Sequence, residues 1–194
     1  MSEILAAIDD TNDLEYLAFV VGERKDIQFL ENKLPPNFSH MTEYYATKQE
    51  KIKLLQNLDF SNSNILSYCV KFSFSQLRQN IKEIRQTKKL RKPESRINAQ
   101  IGYELNCVIR NWYGDFLAKR GYTFQDISFQ VDNVLLKIFL NSTDISYIKP
   151  DMTLKLADCV VHANGKHWPI ENVKHLDDEF KRQFHKTIIN RISR

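Results

Sequence analysis

The opening of the chain constrains its fold more than any other stretch. Ile4-Leu5-Ala6-Ala7-Ile8 is an unbroken apolar run that stops at Asp9-Asp10. Thr11-Asn12-Asp13 has turn composition, and Leu14 to Val21 (LEYLAFVV) is a second apolar run closed by Gly22. Short apolar runs bounded by turn residues read as buried strands, here joined as a hairpin. The first of them delivers carboxylates to its exposed end.

Downstream, strand and helix signals interleave. A short helix is expected from Asp26 to Lys33, before Pro35-Pro36 breaks the chain. Thr47 to Leu58 reads as a helix opened by the capping-box spacing of Thr47 and Glu50. Asn64 to Phe74 is strand-like, and Ser75 to Arg91 is a basic helix with one narrow apolar stripe, Leu77, Ile81 and Ile84. Glu94 to Arg120 carries the clearest helical signal. Ile97, Ile101, Leu105, Val108, Trp112 and Phe116 recur at steps of four and three, and Gly121 ends the run. Ile127, Phe129 and Val131 alternate with polar residues in a strand from Asp126 to Asp132. Val134 to Asn141 and Asp151 to His162 each fit helix or strand. Asp177 to the C-terminus reads as a basic helix with Phe180, Phe184, Ile188 and Ile192 on one face. A hairpin start with strands recurring after helices implies one α/β domain over residues 1–194, a mixed β-sheet flanked by α-helices.

Composition narrows the function classes. With 194 residues, 42% hydrophobic and 27% charged, the chain has globular composition. No segment approaches the ~20 apolar residues of a membrane span, and no basic, secretory-type leader opens the chain. The three cysteines, Cys69, Cys107 and Cys159, are scattered among apolar neighbours. That pattern suits buried thiols in a cytoplasmic protein and lacks zinc-ligand spacing. A net charge of +4 is compatible with a nucleic-acid partner.

Three acids stand out. Asp9 and Asp132 each end an apolar strand, and in α/β sheets sites gather where strand ends meet. Asp158 lies within LKLADCVV, where burial requires a partner for its charge. Each acid alone also fits turn or helix chemistry. Together they form a set that a pair of divalent cations would hold, with oxygen ligands suited to phosphodiester hydrolysis.

Four segments carry a resemblance: Ile8-Asp9-Asp10-Thr11-Asn12, Phe38-Ser39-His40-Met41-Thr42-Glu43, Phe129-Gln130-Val131-Asp132 and Leu154-Lys155-Leu156-Ala157-Asp158. In order and approximate spacing they resemble the family called domain of unknown function 3800, of the RNase H-like superfamily. Its members open with a strand ending Asp-Glu-Ser-Gly and carry a His-containing segment, a strand ending in Asp and a Leu-Gln-Leu-Ala-Asp-like segment. Here Asp10-Thr11-Asn12 and Lys155 depart from that pattern. The resemblance implies an RNase H-like domain, with Asp9, Asp132 and Asp158 holding Mg²⁺ or Mn²⁺ and a nuclease activity inherited from the superfamily. Glu43 is the preferred fourth catalytic acid, with Glu104 competing, and His40 is suited to phosphate binding or proton transfer.

The strongest basic run spans Arg78 to Arg96. Within it Lys88, Lys89, Arg91 and Lys92 are the candidate nucleic-acid contacts, and Glu83 and Glu94 dilute it. A solvated helix face gives the same pattern, so a non-catalytic module binding nucleic acid or a protein stands as the rival. An enzyme acting on a small phosphorylated molecule is a third reading. Pro150-Asp151 with Glu171 and Lys174 departs from the PD-(D/E)xK nuclease spacing by one residue. His162, His167 and His175 show no ligand rhythm and are expected at the surface. Trp168 is the aromatic expected to be exposed.

Overall fold

A computed structural model describes residues 4–11, 14–61, 64–88, 92–131, 145–146, 152–176 and 178–193. The opening run forms strand β1 (Ile4–Asp10), and the chain returns antiparallel as β2 (Tyr16–Glu23), with Ile8 opposite Phe19 and Asp9 opposite Ala18. The second strand starts two residues later than its apolar pattern implies. Leu14 adopts a left-handed conformation, φ 54°, that turns its side chain into the core. The Thr11 hydroxyl closes the turn, accepting from the amides of Glu15 and Tyr16, each at 3.0 Å.

The chain continues through α1 (Arg24–Glu31), α2 (Lys48–Gln56), β3 (Ile65–Lys71), α3 (Phe74–Lys88), α4 (Glu94–Ala118), β4 (Ile127–Val131), β5 (Ile145–Ser146), α5 (Met152–Gly165), β6 (Lys174–Leu176) and α6 (Asp178–Ile192). Helix α2 begins with the expected capping box between Thr47 and Glu50. The ambiguous segment around Asp158 is helix α5. The other ambiguous segment, Val134 to Asn141, lies outside the described residues.

The strands form one six-stranded sheet in the order β5-β4-β1-β2-β3-β6. The pairs β1–β2 and β2–β3 are antiparallel, whereas β4 lies parallel to β1 and Val131 pairs with Ile8. This is the mixed sheet expected from the sequence, covered on both sides by helices. Because β1 is central, both its faces are buried, and side-chain alternation divides the core in two. Ile4, Ala6 and Ile8 face α3, α4 and α6, and Leu5 and Ala7 face α1, α2 and α5. On α4 the buried line includes Ile109 and Tyr113, with Val108 and Trp112 at its flank. Trp112 packs against the rings of Phe19, Tyr68 and Phe180.

Cys69 and Cys159 are buried and Cys107 is partly so, and none is in a disulfide. Burial pushes the Cys69 thiol up to about 12, which suits an inert packing group. No helix among the described residues is long and apolar enough to cross a membrane.

Candidate metal centre

Asp9 follows Leu5 and Ala7 in the alternation of β1, so its carboxylate points into the layer beneath α5. That helix lies close to the strands because the facing side chains are small. Ala7 and Ala18 on the sheet, and Ala157 and Ala163 on the helix, are completely buried. The close approach brings Asp158, 3% exposed, to Asp9, 6% exposed.

The third group comes from the irregular segment between α1 and α2. Met41 is fully buried there, and the amides of Glu43 and Tyr44 both donate to the His40 carbonyl, at 3.1 and 2.9 Å. Between them the anchored Met and the turn aim the His40 ring at α5. His40 Nε2 lies 2.9 Å from Asp158 Oδ1, and the Met41 amide donates to Asp158 Oδ2 at 2.6 Å. One ligand atom from each of Asp9, His40 and Asp158 lies within 4.8 Å of the others, a spacing that fits a metal ion.

The electrostatics match a site built for a cation. Burial, then the neighbouring Asp158 carboxylate, pushes the Asp9 carboxyl up to about 8, and the Asp10 amide, donating to Asp9 Oδ1 at 2.9 Å, offsets this only in part. His40 is raised above its ordinary value, chiefly by its hydrogen bond to Asp158. The donor chemistry therefore fits a divalent cation. Two carboxylates and an imidazole converge, one carboxylate is costly to ionise without a counter-charge, and Asp9 Oδ2 accepts no hydrogen bond among the described residues.

The other candidates are placed as follows. Asp132 lies outside the described residues, although β4 ends at the residue before it. Glu43 is exposed at the rim, accepting from the Ser39 hydroxyl at 3.2 Å, and is not one of the three converging groups. Its charge adds slightly to the rise at His40. Glu104 is buried, but in the layer on the opposite side of the sheet, where Arg191 Nε approaches it to 2.6 Å. Glu171 is exposed, and Asp151 lies outside the described residues.

The helix that begins the basic run, α3, packs through Leu77 and Ile81 into the layer opposite Asp9 and Asp158. Its first turn adjoins the β1–β2 turn, where the Phe74 amide donates to the Leu14 carbonyl. At 1.5 Å per residue, the helix then runs about 21 Å to its end at Lys88. Arg78 and Arg85 clamp Glu94, and Lys92 Nζ donates to the Arg191 carbonyl at 3.3 Å. Lys89 and Arg91 lie outside the described residues.

Two residues near the site had no signal assigned to them. His162 stands one turn beyond Asp158 on α5, so the spacing of four was visible in the sequence. It is half-buried, not a surface histidine, and burial lowers its basicity even though Asp158 opposes that effect. Lys51 on α2 donates to the Met41 carbonyl at 2.7 Å. Trp168, expected to be exposed, is half-buried against the same core, its ring 5.2 Å from that of His162.

Comparison with protein-family models, with curated proteins and with solved structures finds no match to this chain.

Proposed function

We propose that the protein is a divalent-metal-dependent phosphodiester hydrolase of RNase H-like type, acting on nucleic acid. One observation carries this reading. Asp9, His40 and Asp158, far apart in sequence and each from a different motif of the resemblance, converge on a single point. Val131, the last residue of β4, pairs with Ile8, the residue before Asp9, and Asp132 itself lies outside the described residues. Mg²⁺ or Mn²⁺ bound there would act as a Lewis acid on a phosphate oxygen and lower the pKa of an attacking water.

The chain's own residues divide the remaining work. Asp9 supplies a carboxylate whose ionisation is costly until a cation arrives. Asp158 is held in one orientation by His40 and the Met41 amide. His162 and Lys51 place nitrogen donors on the flank, where a phosphate would approach. The rival, a non-catalytic module, draws on the fact that both oxygens of Asp158 already accept from protein donors.

The test is hydrolysis of single- and double-stranded DNA and RNA with Mg²⁺, Mn²⁺ or chelator. Cleavage is expected only with a cation, and Asp9→Asn should abolish it while preserving the circular dichroism spectrum. Cleavage undiminished in that variant would exclude the mechanism.

A further inference from the structure

An oxygen-only centre and a mixed nitrogen–oxygen centre select different cations. Mg²⁺ takes oxygen ligands and keeps much of its water, whereas imidazole favours first-row transition ions. Which kind of centre this is depends on His40. Its Nε2 lies 2.9 Å from Asp158 Oδ1. For ligand bonds of about 2.1 Å, neighbouring donors around an octahedral ion stand about 3.0 Å apart. The pair therefore already has the separation of two adjacent ligands on one ion. Ligation there requires the Nε2 proton to leave and the ring and carboxylate to turn their lone pairs from each other onto the ion.

The other ring nitrogen is provided for. His40 Nδ1 lies 2.7 Å from Thr42 Oγ1, a hydroxyl that can accept as well as donate. A ligating histidine almost always donates its second N–H to such a partner, which fixes the tautomer and leaves the first nitrogen's lone pair for the metal. The Thr42 amide also donates to Nδ1, at 3.2 Å, so as the ring stands Nε2 carries the proton toward Asp158, and ligation through Nε2 requires that proton on Nδ1 instead, facing the hydroxyl. The ring is also placed independently of any ion, by the burial of Met41 and the turn closing on the His40 carbonyl.

We propose that His40 is a metal ligand through Nε2, oriented by Thr42, and that it makes this a centre for a first-row transition ion such as Mn²⁺ in preference to Mg²⁺. The inference rests on the hydrolase reading but is separable from it, since a carboxylate-only centre would still hydrolyse phosphodiesters. His40 then acts as a ligand, and Thr42 as a positioning residue that touches no metal.

The experiment is electron spin-echo envelope modulation of the full-length protein loaded with Mn²⁺, together with Mn²⁺ and Mg²⁺ affinities by calorimetry. A ¹⁴N coupling to bound Mn²⁺ is expected in the wild type and absent in His40→Ala. Thr42→Val should keep the coupling and weaken Mn²⁺ binding about 10-fold or more. His40→Ala should lower Mn²⁺ affinity at least about 10-fold and leave Mg²⁺ affinity within about twofold. Bound Mn²⁺ without nitrogen coupling in the wild type overturns the inference and leaves the hydrolase reading standing. Failure of the wild type to bind Mn²⁺ any better than Asp9→Asn overturns both. The wild-type spectrum decides the matter even if His40→Ala does not fold.

Discussion

The two sides of the sheet each bury a carboxylate, and they treat it in opposite ways. Under α4 and α6, Glu104 meets Arg191 at 2.6 Å and the Gln100 amide at 2.9 Å. The same layer holds the aromatic side chains of Phe19, Phe72, Trp112 and Phe184. Under α5, Asp9 has one backbone donor and faces a second acid, Asp158, with the nearby His40 ring opposing their repulsion only in small part. A buried charge supplied with its own cation is a structural solution. A buried charge set against a like charge is unfavourable unless something from outside completes it. The same strand separates the two, since alternation sends Ile8 to one side and Asp9 to the other.

The largest expected effect breaks the comparison outright. Asp158→Asn, like Asp9→Asn, should reduce cation-dependent hydrolysis to the level of the chelated control, whereas Glu104→Gln should leave turnover per folded molecule unchanged. A nuclease assay on the three purified variants checks this, and loss of activity in Glu104→Gln alone would reverse the roles of the two sides.

The pH dependence sharpens the contrast. The ordinary Asp value is 3.8, and folded Asp9 lies at about 8. Between those values the folded chain holds a proton that the unfolded chain has lost, so unfolding releases it and stability falls as pH rises. The slope is up to about 1.4 kcal/mol per pH unit. His40 acts with the same sign. Its raised value contributes stability below 6.5 that is lost as pH climbs through the folded value. Guanidinium unfolding in chelator from pH 5 to 8 should show this decline, Asp9→Asn should flatten it, and Mn²⁺ should reverse it in the wild type only.

On the other side, Arg191→Ala removes the cation from Glu104. A cost of about 1–3 kcal/mol is expected, discounted towards the lower end because Arg191 is half exposed. Metal affinity should not change. The smallest effect lies at the start of α2, where Thr47→Ala breaks the capping box at about 1 kcal/mol without altering either buried acid. Urea denaturation measures both.

The sequence made one kind of information plain. Elements whose apolar pattern matches their burial, the unbroken run of β1 and the single buried faces of α4 and α6, are legible to within a few residues. So are the Thr47 capping box and the burial of Asp158, whereas Asp9, expected at the exposed end of its strand, is buried. What it did not reveal is set by contacts between distant segments. Nothing in Pro36 to Tyr45 shows that Met41 is an anchor, and without the anchor the place of His40 against Asp158 has no local signal. The division of helices between the two sides is equally non-local. The charge density of α3 says nothing of the layer it packs in. His162 stands four residues beyond Asp158, but His162, His167 and His175 share no ligand rhythm, and nothing local marks His162 as the half-buried one.

The bond from the Met41 amide to Asp158 Oδ2 has a consequence for observation. A backbone N–H held 2.6 Å from a carboxylate oxygen feels that group's charge through its proton resonance. The Met41 cross-peak in a ¹⁵N spectrum is therefore a built-in electrometer. It should move when the neighbouring acid gains a proton or surrenders charge to a cation, with no dye, label or substituted residue required to read it.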